Sequence, residues 1–165
     1  MTGVLAVACG PPGVGKTTVA EAAVDSLDAE LLRTDVVRKE LFPEPTYTDE
    51  EIARTYRELF DRAGALLAGG ESVVLDGTFR RRGQRAAAAR LAAERGASFR
   101  LLRVECDPAV ARERIRRREG DASDADVAVY EQLREEFESV TCEHTVIDNS
   151  GSRAASRRQV AAALE

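Results

Sequence analysis

Residues 10–18 read Gly10-Pro11-Pro12-Gly13-Val14-Gly15-Lys16-Thr17-Thr18, and this stretch decides the fold. Two of its glycines are five positions apart, and a lysine and a threonine follow the second one directly. This is the G-x-x-x-x-G-K-[ST] spacing of a phosphate-binding loop, or P-loop. A short apolar run, Val4–Cys9, precedes the loop, and apolar residues at helical spacing follow it from Thr17 to Leu27. A buried strand, a glycine-rich turn and a helix form the setting in which this spacing makes a P-loop.

The loop predicts a site for a nucleoside triphosphate. Its glycines allow backbone N–H groups to point into one concavity, and the N-terminus of the following helix adds partial positive charge. Lys16 is expected to reach the β- and γ-phosphates and to take part in catalysis, while Thr17 supplies a hydroxyl ligand for Mg²⁺. We therefore predict that residues 10–18 bind ATP, with Mg²⁺ as the second cofactor. The alternative is a glycine-rich turn that binds nothing.

Length and charge narrow the class of protein. The 165 residues fit one domain, 1–165, with a full core. The net charge of −5 conceals an asymmetry, because thirteen arginines and four acidic residues between Arg80 and Arg118 give +9, which leaves −14 for the rest. A local basic face on an acidic chain suits a polyphosphate ligand better than indiscriminate coating of nucleic acid.

Hydropathy and cysteine usage indicate the compartment. No stretch approaches 18 uncharged apolar residues and no secretory signal pattern opens the chain, so we expect a cytoplasmic protein without a membrane contact. Nothing in the sequence indicates an obligate protein partner. The three cysteines are an odd number without metal-ligand spacing, so we expect buried, reduced thiols rather than disulfides.

Strand and helix patterns alternate along the whole chain. The predicted strands are Val4–Ala8, Leu31–Thr34, Ser72–Leu75, Phe99–Val104 and Thr145–Ile147. The predicted helices are Thr17–Leu27, Val36–Leu41, Asp49–Ala68, Gln84–Glu94, Pro108–Arg118, Asp124–Glu138 and Ser152–Leu164. Such alternation is typical of a parallel sheet with helices on both faces. Ligands bind these sheets outside the carboxyl ends of the strands, so residues just after each strand are candidate site residues.

Asp35 follows the second predicted strand, and Arg38 lies one helical turn further on. A carboxylate at this position can accept the proton of an attacking hydroxyl, and an arginine beside it can hold an anionic group of the acceptor. We therefore predict that Asp35 is catalytic and that Asp35 and Arg38 bind the acceptor. The alternative is that Asp35 only caps the following helix.

Asp76 follows the third predicted strand in the sequence Asp76-Gly77-Thr78-Phe79. An aspartate at the end of a buried strand, downstream of a P-loop, is typical of a carboxylate that positions Mg²⁺. Asp76 is therefore the second predicted metal residue, and Thr78 is predicted to touch the acceptor. The alternative is an aspartate that serves only the turn.

An arginine-rich helix follows the fourth predicted strand. Arg114 and Arg118 are i,i+4 neighbours on one edge of it, and a glycine and acidic residues come next. This pattern predicts a mobile lid at about 108–125, whose guanidinium groups close on the triphosphate and stabilise charge as the γ-phosphoryl group moves. Arg114 and Arg118 are thus predicted to bind ATP, and Arg118 to be catalytic. The alternative is a solvated charged face.

Taken together, these motifs resemble those of small P-loop kinases. Asp35 with Arg38, the Asp76–Phe79 segment and the Arg114/Arg118 pair are similar to the polynucleotide 5′-kinase module and to a group of predicted kinases related to it. Gluconate, shikimate and chloramphenicol kinases are more distant cousins. The resemblance implies a three-layer α/β P-loop NTPase fold with a five-stranded parallel sheet in the order 2-3-1-4-5 and an arginine-rich helical lid. It also implies that the loop around Asn149 lies by the adenine, so Asn149 joins the predicted ATP-binding residues.

The sequence therefore predicts an ATP-dependent kinase that transfers the γ-phosphate to a hydroxyl group. A small hydroxylated acceptor is favoured over the 5′ end of a nucleic acid, because aromatic residues for base stacking are scarce and the acidic remainder repels a long polyanion. Phe79 stands where relatives often carry asparagine, which leaves the acceptor open. A nucleotide-binding switch or ATPase without an acceptor is the alternative from another class.

Overall fold

A computed structural model of the chain describes residues 3–118 and 124–165, with the side chains of 118 and 124–126 left out. Strands and helices alternate along most of the chain. They are β1 (Val4–Cys9), α1 (Lys16–Leu27), β2 (Glu30–Arg33), α2 (Thr34–Leu41), α3 (Asp49–Ala68), β3 (Val73–Asp76), α4 (Arg82–Glu94), β4 (Ser98–Glu105), α5 (Pro108–Arg118), α6 (Asp124–Glu136), β5 (Thr145–Asp148) and α7 (Arg153–Leu164).

The five strands form one parallel sheet in the order β2-β3-β1-β4-β5, as predicted. β1 lies at the centre, where Ala8 pairs with Asp76 of β3 and Cys9 pairs with Arg103 of β4. The order reverses direction at β1, so the P-loop that follows β1 lies at the point where connections leave to opposite sides. This register brings Asp76 to the edge of the sheet from which the P-loop begins.

The two faces of β1 build two separate hydrophobic cores. Leu5, Val7 and Cys9 point to one face and pack with side chains of α3 and α4, whereas Ala6 and Ala8 point to the other, against α1 and α7. Strand alternation explains this division, because successive side chains leave opposite faces. Since both faces are covered, β1 is apolar throughout.

One difference from the predicted boundaries lies where β2 ends and α2 begins. The strand ends at Arg33, and Thr34 opens α2 instead of ending the strand. Asp35 therefore lies in the first turn of α2, where a carboxylate is favoured by the helix dipole, and its side chain accepts from Nη1 of Arg38. The capping alternative for Asp35 is thus not what the structure shows.

Helix ends elsewhere follow the sequence closely. Gly69 ends α3, and the Ser152 hydroxyl caps α7 by accepting from the N–H of Ala155. α6 ends at Glu136, two residues earlier than predicted. The next residues, the 137–139 strap, are bound instead by Arg80 of the β3–α4 connection and by Arg82 and Arg85 of α4. Within residues 3–118 and 124–165, none of the helices has the length and apolar character needed to cross a membrane.

Candidate nucleotide and acceptor site

The P-loop adopts a conformation that requires its glycines. Gly13 and Gly15 have φ angles of 86° and 83°, in the left-handed region. A Cβ atom on Gly13 would lie 2.8 Å from the side chain of Ile115, and one on Gly15 would overlap Nδ2 of Asn149. The loop is therefore both strained for other residues and tightly enclosed, which fits a backbone that must approach a phosphate closely.

Lys16 is the first residue of α1, so the helix N-terminus and the ammonium group face the same space. Its Nζ donates to the carbonyl oxygen of Pro11 at 3.0 Å, which folds the side chain back over the loop. This space is a cavity of about 350 Å³, lined by the P-loop together with Arg33, Asp35, Asp76, Thr78 and Arg114. Most of the predicted phosphate and metal residues thus line one cavity.

Thr17 and Asp76 meet beside the loop. The Thr17 hydroxyl donates to Oδ2 of Asp76 at 3.0 Å, and Asp76 is buried. Arg33 lies against both, since its Nη2 donates to Oγ1 of Thr17 at 3.3 Å and its Nε is 3.3 Å from Oδ2 of Asp76. The Nε contact is an ion pair by distance without hydrogen-bond geometry.

The Thr17–Asp76 pair fits a magnesium ion. Both are hard oxygen ligands, and neighbouring ligands of an octahedral Mg²⁺ with bonds of about 2.1 Å lie about 3.0 Å apart. No cluster of three or more His, Cys, Asp or Glu side chains occurs among the described residues. Mg²⁺ held here would therefore take its remaining ligands from phosphate and water, as is usual for this ion.

Asp35 and Arg38 lie side by side, as their spacing predicts. Nη1 of Arg38 is 3.2 Å from Oδ1 of Asp35, and the carboxylate side chain is 72% exposed whereas the arginine side chain is only 12% exposed. The ring of Tyr47 covers the guanidinium of Arg38, with 5.1 Å between the ring centroid and the guanidinium carbon. This contact was not predicted from the sequence, because nothing in the spacing of Tyr47 marks it.

Arg114 points from α5 toward the P-loop. Its Nη2 donates to the backbone oxygen of Asn149 at 2.7 Å, and its Nη1 lies 3.4 Å from Sγ of Cys106. Partial burial raises the pKa of the Cys106 thiol, against the opposing effects of Arg114 and the hydrogen bond to Ser150. The side chain of Arg118 and the part of the lid at 119–123 lie outside the described residues, so the lid prediction is described only for Pro108–Arg117.

Asn149 lies against the P-loop in a way that the sequence did not reveal. Its Nδ2 donates to the backbone oxygen of Val14 at 2.7 Å and is 3.4 Å from that of Gly15. Its Oδ1 accepts from the hydroxyl of the buried Ser156 at 2.5 Å. The amide thus bridges β5–α7 and the P-loop. The signal available in the sequence was an asparagine just after a predicted strand. The partners of its side chain are not apparent from spacing.

Several arginines of the basic segment between Arg80 and Arg118 are paired with other groups of the protein. Salt bridges join Arg80 to Glu136, Arg103 to Glu105 and Arg112 to Glu131 at 2.7–2.8 Å. Arg85 is buried and donates to backbone oxygens of Phe79, Glu138 and Ser139. These four arginines are therefore engaged with partners within the protein rather than part of an open basic face.

Phe79, which raised a question about the acceptor, lies in the core. It is fully buried, with a φ of 45°, and its ring meets that of Tyr56 edge-on at 5.0 Å. Its N–H donates to the Tyr56 hydroxyl at 3.0 Å, and burial raises the pKa of Tyr56 to about 12. Phe79 therefore packs in the hydrophobic core and does not line the cavity beside the P-loop.

With this geometry established, the family is clear. The chain belongs to the P-loop family described as "AAA domain", whose sequence model matches residues 5–140. Two mycobacterial proteins, uncharacterized protein Rv2004c of Mycobacterium tuberculosis and uncharacterized protein Mb2027c of Mycobacterium bovis, are each 35% identical over 133 residues. These matches cover 73% of this chain and 27% of each relative, so the chain spans about a quarter of the length of the curated relatives it matches.

Three solved structures with a similar fold are named as kinases. A sugar kinase from Janibacter sp. has a TM-score of 0.75 at 19% identity, covering 99% of this chain and 95% of its own. A gluconokinase from Sinorhizobium meliloti has a TM-score of 0.73 at 22% identity, covering 98% and 91%. The Mycobacterium tuberculosis APS kinase CysC, solved with AMPPNP and APS, has a TM-score of 0.75 at 19% identity, covering 99% and 97%. The kinase-like P-loop fold is confirmed, and the resemblance to the polynucleotide 5′-kinase module stays a prediction.

Proposed function

We propose that this chain, as a member of that P-loop family, is an ATP-dependent kinase that transfers the γ-phosphate of ATP to a hydroxyl group of a small molecule. The observation that carries the proposal is the position of Asp35. It lines the phosphate cavity and also a second cavity of about 510 Å³ beside it, and Pro12 and Thr78 are the other residues common to both. An exposed carboxylate at the junction of two cavities is where a general base between donor and acceptor must stand.

The chemistry follows from the residues around that junction. Asp35 takes the proton of the acceptor hydroxyl while the oxygen of that hydroxyl forms the new bond to the γ-phosphorus. The bond between the γ-phosphorus and the bridging oxygen breaks, and its electron pair stays on the β-phosphate of ADP. Lys16 and the N–H groups of residues 13–17 stabilise the phosphate charge, and Arg118 is proposed to do so from the lid. Mg²⁺ bound at Thr17 and Asp76 would offset the negative charge of the triphosphate.

The nucleotide donor is proposed to be ATP, with the adenine beside residues 148–151. The neighbouring APS kinase was solved with AMPPNP, an adenine nucleotide analogue, which supports this choice. Because the Asn149 side chain is engaged with the P-loop and Ser156, it would act by holding the loop in place rather than by touching the base. Arg114, anchored on the oxygen of Asn149, would close the same side of the site.

A screen with labelled ATP tests the proposal. Sugars, nucleosides, antibiotics and 5′-hydroxyl oligonucleotides are offered in turn, and label transferred to each is measured. We expect slow ATP turnover alone and much faster turnover with a small hydroxylated acceptor. Asp35→Asn should lower the transfer rate roughly 10²–10⁴-fold and leave ATP binding nearly unchanged. Asp61→Asn on the exposed face of α3 is the matched control and should keep full activity.

Three outcomes would change the assignment. Full transfer activity in Asp35→Asn would remove Asp35 as the base while leaving the kinase function in place. ATP hydrolysis that no acceptor accelerates would instead favour the switch or ATPase alternative. Transfer to 5′-hydroxyl oligonucleotides alone would identify the acceptor as a polynucleotide end.

A further inference from the structure

The second cavity has one wall that is apolar and aromatic. Its volume of about 510 Å³ lies in the range of small-molecule sites. The apolar part of its lining comprises Tyr47, Ile52, Tyr56, Val129 and Leu133, from the α2–α3 connection, α3 and α6. Tyr47 and Val129 are 63% and 51% exposed, which is unusual for large hydrophobic side chains in this chain. A bare sugar offers little apolar surface to such a wall, so the wall points to an acceptor with an apolar portion.

The position of Tyr47 is imposed by its neighbours. Its φ of 57° is in the left-handed region, which a bulky side chain rarely adopts. The Glu51 carboxylate holds the preceding residue, accepting from the N–H of Thr46 at 2.8 Å and from its hydroxyl. The hydrogen bond from the Thr46 side chain lowers the pKa of Glu51, so the Glu51 carboxylate is ionised at neutral pH. Strain that the surroundings maintain at an exposed aromatic residue is characteristic of a binding position.

The charges at the cavity are already compensated. Arg38 faces Asp35 at 3.2 Å, and Arg80 faces Glu136 at 2.7 Å. An anionic acceptor would therefore meet a carboxylate next to each of these cations. An uncharged ligand oxygen could still accept a hydrogen bond here, because the buried Nε of Arg38 has no hydrogen-bond partner among the described residues. The cavity thus favours an electrically neutral ligand with oxygen atoms over a carboxylate or a polyanion.

From these observations we infer that the acceptor is an uncharged, hydroxylated small molecule with a flat apolar portion that stacks on Tyr47, as an aryl glycoside or a nucleoside does. This inference rests on the proposed kinase function. The ring of Tyr47 would have Arg38 on one face and the acceptor along the other, with Ile52, Val129 and Leu133 completing the apolar wall. The reacting hydroxyl would then project toward Asp35 at the junction with the phosphate cavity.

The chain contains no tryptophan, which allows a direct binding test. A Tyr47→Trp variant carries a single indole in the cavity, and its emission is followed during titration with a nitrogen-free aryl glycoside, with adenosine, with the parent sugar and with gluconate. We expect saturable changes with the aryl glycoside and adenosine, and at least 10-fold weaker responses with the parent sugar and gluconate. Transfer from labelled ATP is measured on the same compounds and on a 5′-hydroxyl oligonucleotide.

Variants separate stacking from general damage. Tyr47→Ala should lower kcat/KM for the flat acceptor roughly 10-fold or more, chiefly through KM, and Tyr47→Phe should retain it. Phe42→Ala is the matched control, because Phe42 also covers an arginine, Arg54, at 5.2 Å but does not line the cavity. Phe42→Ala should leave the preference between flat and polar acceptors unchanged.

The outcomes distinguish this inference from the function on which it rests. Saturable changes in the indole emission of the Tyr47→Trp variant with flat compounds, without transfer to any acceptor, would uphold the binding site and overturn the kinase proposal. Equal transfer to flat and polar acceptors, insensitive to Tyr47→Ala, would overturn the inference alone. Transfer restricted to gluconate or to the oligonucleotide would also overturn it, and silence in both assays would overturn both.

Discussion

The Thr17 hydroxyl lies 3.0 Å from the Asp76 carboxylate, although 59 residues separate them along the chain. Parallel pairing of β1 with β3 explains the contact, because it sets Ala8 beside Asp76 and so brings the start of the P-loop to the end of β3. Arg33, at the end of β2, completes a group of three side chains drawn from three neighbouring elements. The first prediction concerns what this group does with a metal.

Asp76→Asn should weaken the dependence of ATP binding on Mg²⁺. The amide removes the negative charge that attracts the ion, so the apparent Mg²⁺ affinity of the ATP complex should fall by about 10-fold or more. ATP affinity without Mg²⁺ should change little, because the P-loop backbone and Lys16 remain. Calorimetric titration of ATP with and without Mg²⁺ measures both quantities.

Arg33→Ala provides the opposite test of the same group. A guanidinium 3.3 Å from Oδ2 of Asp76 competes with the metal for that oxygen, so its removal should strengthen Mg²⁺ binding. Asp61→Asn should affect neither quantity. If Asp76→Asn and wild type respond to Mg²⁺ alike, the Thr17–Asp76 pair is not the metal site.

Asn149→Ala should damage the P-loop from a distance. It removes the Nδ2 donor to the backbone oxygen of Val14 and the Oδ1 acceptor of the Ser156 hydroxyl, at a cost of about 1–3 kcal/mol in the free energy of unfolding. The melting temperature should fall by several degrees, and ATP affinity should fall as well because the loop is no longer held. Thermal unfolding with and without ATP measures both effects.

Ser156→Ala is the control for that experiment. It removes the hydroxyl that donates to Asn149 but keeps the amide contact with the P-loop, so it should cost stability with little loss of ATP affinity. Equal loss of ATP affinity in the two variants would mean that the amide contact with the P-loop has no special role.

Arg38 and Arg118 should show opposite kinetic behaviour. Arg118→Ala should lower kcat more than it changes the acceptor KM, because the charge that a lid arginine meets grows on the moving phosphoryl group. Arg38→Ala should first raise the acceptor KM, since its side chain lines the second cavity and supports Tyr47. Steady-state kinetics at saturating and varied acceptor separate the two. An exchange of these effects would contradict the site assignment while leaving the kinase proposal intact.

Stability should fall in alkaline solution because of Cys9. Burial raises the pKa of its thiol from 9.0 to about 11, so the folded state retains a proton that the unfolded chain loses. The stabilisation is complete below pH 9 and is lost as pH rises toward 11, with a slope of about 1.4 kcal/mol per pH unit. Urea unfolding between pH 9 and 11 should show stability falling toward this slope, and Cys9→Ala should flatten the dependence on pH. The exposed Cys142 should react with thiol reagents much faster than Cys9.

Most of the sheet could be predicted because local patterns specified it. Apolar runs marked the strands, the P-loop spacing marked the β1–α1 turn, and the family resemblance supplied the strand order. Long-range side-chain contacts could not be predicted in this way. Arg85 sits in a charge-rich segment but is buried and donates to Phe79 and the 137–139 strap. Tyr47 contacts Arg38, and Glu51 holds the residue before it. Spacing along the chain does not encode such partners, which the packing of separate elements brings together.

The contact between Asn149 and the P-loop also determines when, during synthesis and folding, the P-loop can be fully supported. During synthesis the P-loop is made before the side chain that bonds to Val14, which comes 135 residues later, and Ser156, which donates to that side chain, comes later still. The loop therefore acquires its final support only when β5 and α7 dock, long after its own sequence has left the ribosome. The proposed affinity for ATP would therefore become complete only when β5 and α7 have docked.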